Sequence, residues 1–313
     1  MLIDPSEKTA LLGRMRQNAP LLENKTSRAR ICIYGDNGVG KTVAAVGMAR
    51  KLIGPDKQII FVDKTEGYES LRNHKSLVPN VRPISFESVE QLYVLAETIY
   101  AEKEPFGNVG AIILDDFDLM TAEDLNILWH NRVALGTSKL DPEKPERPEY
   151  LKLGFRTTEV LDFVLNQTPS VHLFLTAHMR EKKTLDGQTV LKVFPGFNPA
   201  LASEIGSRML VIGHMTGKYV PGGEKNVPSY AREIQVHPTT IVDAKSRVGC
   251  GKIKYEIGEF VQHIYEWSVE GRPQDNEADA IRMEIKTSKV ETADDEIFGS
   301  PTEVDDDTPV MME

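Results

Sequence analysis

The sequence predicts an α/β fold, a mainly parallel central sheet with helices on both faces that is extended by antiparallel strands on its C-terminal side. Three observations carry that expectation. Short runs of β-branched and aromatic residues alternate with longer helical stretches through most of the body, as a parallel sheet with crossover helices requires. Residues Gly35 to Thr42 read GDNGVGKT, a full match to G-x-x-x-x-G-K-[ST], and stand between such a run and a helix. After Thr176 the alternation gives way to two hairpin-like stretches.

Residues 1 to 27 read as a short helix and linker, with Lys25, Arg28 and Arg30 near the start of the sheet. Ile31–Tyr34 is the first expected strand and Lys41–Leu52 the first helix. The strands Gln58–Val62, Val81–Phe86, Val109–Leu114 and Val171–Thr176 follow, with helices Ser88–Glu102, Ala122–Ala134 and Thr157–Asn166 between them. Gly136–Pro148, dense in Pro and charge, reads as an exposed loop. The first hairpin is Lys183–Val193, turning at Asp186-Gly187. The second is Met209–Val236, with Gly217 and Gly222-Gly223 in its loops, and Thr239–Ala244 is a last strand. The expected division is therefore an N-terminal linker over 1 to 27, a folded body over 28 to 270, and a tail over 271 to 313.

The chain of 313 residues with 40% hydrophobic content can bury a substantial core. Its net charge of −10 resides in the tail, where Asp275 to Glu313 hold thirteen acidic residues against three basic ones. The body is thus neutral overall and free to carry a basic face. Poor in aromatics and rich in acid, Pro and Thr, the tail reads as disordered, with Phe298 and Val310-Met311-Met312 as small apolar anchors for a protein partner. No apolar run reaches membrane-spanning length and the N-terminus lacks a signal-peptide core, so a cytoplasmic location is expected. Cys32 and Cys250 have no metal-ligand or disulfide spacing.

The glycine loop implies a nucleoside triphosphate. Backbone N–H groups of Gly35, Asp36, Asn37, Gly38, Val39 and Gly40 can turn inward around a phosphate, and the helix N-terminus adds its positive dipole end. Lys41 reaches the β- and γ-phosphates in such a loop, and the Thr42 hydroxyl holds Mg²⁺. The apolar strand ending in Asp115-Asp116 supplies the second metal partner, Asp115. A carboxylate at the end of the second strand, in FVDKTEG, can polarise the attacking water; Glu66 is the choice, with Asp63 and Asp116 as rivals. His178, ending LTAH, is a candidate sensor of the γ-phosphate. It opens a basic finger, Arg180, Lys182 and Lys183 with Lys192 across the hairpin, suited to a DNA backbone. Lys245 and Arg247 fall on one side of the last strand, where they can reach a neighbouring subunit's γ-phosphate.

Together GDNGVGKT, FVDKTEG, AIILDDFD, LFLTAHMREKK and DAKSRVG, over roughly residues 28 to 250, resemble the RecA-like ATPases, in particular the bacteriophage recombination and single-strand-annealing proteins of the Sak group. The resemblance implies a RecA fold, Mg·ATP hydrolysis at subunit interfaces of a ring or filament, and loops that bind single-stranded DNA during annealing or strand exchange. A phage origin would place the protein in the bacterial host cytoplasm. The likeness casts Glu66 as the water-activating residue, His178 as sensor, and Lys245 with Arg247 as fingers acting in trans. FVDKTEG has one residue more than the family pattern, which leaves Glu66 against Asp63 open, and the basic finger has no aromatic on which a base could stack. Two other functions fit the same residues. One is a ring-forming DNA motor, a helicase or packaging ATPase. The other is a nucleotide-switched adaptor that captures a protein through the acidic tail.

Overall fold

The computed structural model describes residues 27–134, 145, 147–220 and 229–269. Residues 1–26, most of the loop after Ala134, Gly222-Gly223 and the acidic tail lie outside this range, and with them the expectations placed there.

In chain order the elements are β1 (Arg30–Gly35), α1 (Lys41–Ile53), β2 (Gln58–Asp63), a 3-10 turn (Gly67–Asn73), β3 (Val81–Ser85), α2 (Val89–Tyr100), β4 (Val109–Leu114), α3 (Phe117–Ala134), α4 (Arg147–Gln167), β5 (His172–Lys183), β6 (Val190–Pro195), α5 (Pro199–Arg208), β7 (Val211–Val220), β8 (Ser229–Gln235), β9 (Lys245–Ser246), β10 (Lys254–Glu256) and α6 (Ile257–Val269). The sheet order is β10-β8-β7-β1-β5-β4-β2-β3. From β7 to β3 every pairing is parallel, while β8 and β10 extend the sheet antiparallel. The expected α/β architecture, with its parallel centre and antiparallel extension, is what forms.

The apolar strands are buried on both faces, and their alternation sorts two cores. Ile31 and Ile33 of β1, Ile59 and Phe61 of β2, and Ile113 of β4 pack against α1 and α6. Their neighbours Cys32, Tyr34, Ile60, Val62 and Leu114 face the opposite core, which α2, α3, α4 and α5 cover. Phe260, Ile264 and Trp267 recur at helical spacing along α6 and are all buried, each stabilising by roughly 1.5–3 kcal/mol. No described helix is long and apolar enough to cross a membrane.

Several boundaries differ from the sequence reading. Helix α4 starts at Arg147, inside the expected loop, because Pro148 sits in its first turn, where a missing N–H costs nothing. Helix α3 likewise begins at Phe117 rather than Ala122. Gly217 lies within β7, opposite Arg232, instead of in a loop. Thr239–Ala244 is not a strand. The Thr239 hydroxyl accepts the Val242 N–H at 3.0 Å and closes a turn, and one bridge to Val193 is the pairing that remains. Helices α5 and α6, strand β10 and the 3-10 turn had no counterpart in the sequence reading.

Candidate nucleotide-binding site

The parallel register brings four strand ends to one edge of the sheet. Gly35 is paired with His178 across β1 and β5, and Leu114 stands between Val62 and Leu175, so Asp63, Asp115 and Thr176 emerge side by side. Strand β5 separates β1 from β4 and fills the gap between the glycine loop and the carboxylates.

The loop turns directly into α1 at Gly40, whose φ of 93° is open to glycine and costly to any residue with a Cβ. A Cβ there would also stand 2.8 Å from Arg232 Nε. Lys41 is buried, and its ammonium donates to the carbonyls of Gly35 at 3.2 Å and Asp36 at 3.0 Å. Asp36, Asn37 and Gly38 form the exposed rim. Arg232 of β8 donates from Nε to Val39 O at 3.0 Å, which sets a second cation against the loop. Nothing in the local sequence signals Arg232, since the contact spans 193 positions.

Asp115 is 1% exposed and sits under the loop. Its two oxygens accept the Thr42 hydroxyl at 3.1 and 2.9 Å, and Oδ1 also accepts the Thr176 hydroxyl at 2.6 Å. Burial pushes its carboxyl up to about 6; the charges of Asp116 and Asp63 add to this, against the two threonine bonds. Thr176 in turn accepts the Asp116 N–H at 2.8 Å. Gly67 closes the floor, for a Cβ there would lie 2.6 Å from Asp115 Oδ2.

Around this pair stand Asp63, Asp116, Asp118 and His178. Asp63 Oδ1 accepts the backbone and hydroxyl of Thr65 at 2.8 and 3.1 Å, while its buried Oδ2 has no hydrogen-bond partner. Asp116 adopts a left-handed backbone at φ 51°, a conformation that non-glycine residues hold only under constraint. Burial raises its carboxyl above the ordinary range, opposed by His178 and Lys41. His178 is anchored on Asp118, which accepts its N–H at 3.1 Å and its Nδ1 at 3.1 Å. Nδ1 carries the proton in that bond, and Nε2 faces Asp116 Oδ1, 3.7 Å away. Ligand atoms of Asp116, Asp118 and His178 all lie within 4.8 Å of one another.

The donor set fits a hard divalent cation. It is all oxygen around Thr42 and Asp115, and the orphaned Asp63 Oδ2 is an uncompensated buried acceptor at the same place. Thr42 and Asp115 would hold Mg²⁺ between them.

Three groups of expected residues stand elsewhere. Glu66 is exposed in a left-handed conformation at φ 59°, ahead of the 3-10 turn, and its side chain makes no capping bond. Asp63 and Asp116 are the carboxylates the fold brings to the loop. In the hairpin, Arg180 lies nearest the site, while Lys183 pairs with Glu181 at 3.0 Å and Lys192 with Asp243 at 3.7 Å. Lys182 is exposed, opposite Lys192. Lys245 and Arg247 sit at the other edge of the sheet: Lys245 is opposite Ile212, and the Arg247 N–H bonds Leu210 O at 2.9 Å. Lys245 also donates to Gly206 O, and burial lowers its ammonium, with Arg247 and Arg30 adding. Both stand at the end of the sheet opposite the glycine loop.

No family model matches this sequence, and no curated protein matches it.

Proposed function

We propose that this chain is a Mg·ATP-dependent ATPase of the RecA-like kind, which binds single-stranded DNA as a homo-oligomer and promotes annealing or strand exchange. The observation that carries the nucleotide part is the pair of bonds from the Thr42 hydroxyl to the buried Asp115. They join the helix start of the glycine loop to the end of an apolar strand two positions away in the sheet. Thr42 and Asp115 would hold Mg²⁺, which supplies charge neutralisation for the phosphates.

The chain's own groups divide the remaining work. Lys41 exchanges the Gly35 and Asp36 carbonyls for phosphate oxygens, and the loop N–H groups fix the β-phosphate. Asp116, with its raised pKa and its place beside Asp115, is a better base than the exposed Glu66. It takes a proton from water as the water oxygen bonds to the γ-phosphorus; the bond to the β–γ bridging oxygen breaks, giving ADP and phosphate. His178, held by Asp118, orients that water or the γ-phosphate. Lys245 and Arg247, on the far edge, could contact only another copy's nucleotide.

Steady-state ATP hydrolysis with and without single-stranded DNA, beside Lys41→Ala and Arg247→Ala, tests the reading. Stimulation by DNA that both variants lose is expected. The ion pairs of Lys183 and Lys192 neutralise half of the hairpin's cations, and this favours a second reading, the nucleotide-switched adaptor. Hydrolysis indifferent to DNA, with Arg247→Ala unaffected, would transfer the weight to it.

A further inference from the structure

We propose that the cavity beside Asp118 receives one nucleotide of a single strand, its base against Tyr150 and its phosphate on Arg180. The inference rests on the DNA-binding reading above and gives it a site.

The cavity, of about 600 Å³, opens between α3, the start of α4 and the root of the β5–β6 hairpin. That volume is within the roughly 300–1,000 Å³ of small-molecule sites. Leu125 and Leu153 make an apolar wall, both buried, and Tyr150 stands beside them at 36% exposure. Arg180 and Asn126 supply a cation and an amide, and Asp118 borders the cavity from the nucleotide side. An apolar wall with an aromatic ring takes a flat, unsaturated body. The amide can read the edge of such a body, and the guanidinium binds a phosphate. The carboxylate of Asp118 repels a bare anion at that end, so the phosphate must lie toward Arg180. A base and its phosphate combine these features.

Phe194, the hairpin's own aromatic, is not among the residues that line the cavity, and the fold delivers Tyr150 from α4. Asp118 is shared: it lines the cavity and holds both the backbone N–H and Nδ1 of His178. A nucleotide in the cavity therefore touches the residue that orients the candidate sensor, a direct route by which DNA can stimulate hydrolysis.

The test is fluorescence anisotropy of labelled oligothymidylate with the full chain in Mg·ADP, comparing Tyr150→Ala, Tyr150→Phe and Arg180→Ala. Loss of base stacking should weaken Tyr150→Ala by about 5- to 100-fold, with Tyr150→Phe near wild type. Arg180→Ala should also flatten the dependence on salt by about one phosphate contact. If wild type binds the strand and Tyr150→Ala binds it equally well, the pocket is overturned while the DNA reading stands. If wild type binds no strand even at low salt, the DNA reading falls, and calorimetry with thymidine monophosphate in Mg·ADP decides the pocket. Uptake lost in Tyr150→Ala would then assign it to a free nucleotide, and no uptake would overturn it.

Discussion

Thr176→Val removes one hydroxyl at the centre of the site and leaves the side chain's shape intact. Thr176 is fully buried. Its hydroxyl donates to Asp115 Oδ1 at 2.6 Å and accepts the Asp116 N–H at 2.8 Å. A hydrogen bond to a charged group contributes about 1.5–3 kcal/mol, and a buried N–H left without a partner costs about 1–3 kcal/mol. Because the two bonds share one atom, their loss should not sum fully, and a destabilisation of about 2–4 kcal/mol is expected in urea unfolding. Asp115 then depends on Thr42 alone, and Asp116 loses the anchor that holds its left-handed backbone. Displacement of a catalytic group by about an ångström costs on the order of 100-fold, so ATP turnover should fall by about 10- to 100-fold. Thr176→Ser keeps the hydroxyl and should recover most of that turnover. A valine variant within about 0.5 kcal/mol of wild type, turning over ATP at the wild-type rate, would refute the assignment of Thr176 as the positioning residue.

Gly67→Ala would bring a methyl to 2.6 Å from Asp115 Oδ2, so ATP turnover should drop while circular dichroism stays native. Equal turnover would show that the floor under Asp115 has slack. His172 is held neutral at about 4 by burial, with Arg28 and Lys57 adding, and its Nδ1 accepts the Ala29 N–H at 3.1 Å. In the unfolded chain it takes a proton near 6.5, so between pH 6.5 and 4 the unfolded state binds more protons and stability is lost as the pH is lowered, by about 3 kcal/mol in all. His172→Gln should remove that component, and parallel pH profiles for the two proteins would count against it. Tyr34→Phe deletes the bond from Tyr34 Oη to Asp243 O at 2.5 Å. It should cost about 1–2 kcal/mol in thermal or urea unfolding and speed proteolysis after Thr239; no change in either would mean that the tyrosine does not tether this segment.

The sheet was legible because its strands are short, apolar runs with clear punctuation. The meeting of the glycine loop with Asp115 was legible because both follow apolar strands of one parallel sheet, whose C-terminal ends share an edge. Pattern could not choose among Glu66, Asp63 and Asp116. All three are carboxylates at strand ends, and a left-handed turn at Glu66 sends it outward while another at Asp116 keeps it beside Asp115. Asp118 and Thr176 stood within the quoted motifs without a role, since only the register of β4 against β5 gives them partners, while Thr65 bonds Asp63 two residues away and reaches Asp116 at 3.3 Å. Arg232 and Tyr150 come from distant segments. Helix α5 was missed as a short stretch holding Gly206 and two serines, and Thr239–Ala244 was overread because a β-branched run can serve a turn when threonine caps it.

Strand β5 belongs to two structures at once. Its first half lies in the central sheet and its second half is one leg of the hairpin, with His178 at the junction of a single strand that runs from His172 to Lys183. The Gly196 N–H bonds the His178 carbonyl at 2.7 Å and clamps the other leg at the same level. Such a ribbon behaves as a lever with its fulcrum in the site. At about 3.4 Å per residue the five steps from His178 to Lys183 span about 17 Å, so a tilt of about 5° at the histidine carries the tip by about 1.5 Å. Motion at the glycine-loop edge and motion at the hairpin tip are then one rotation seen at two radii, and the small displacement at the fulcrum sets the large one at the end.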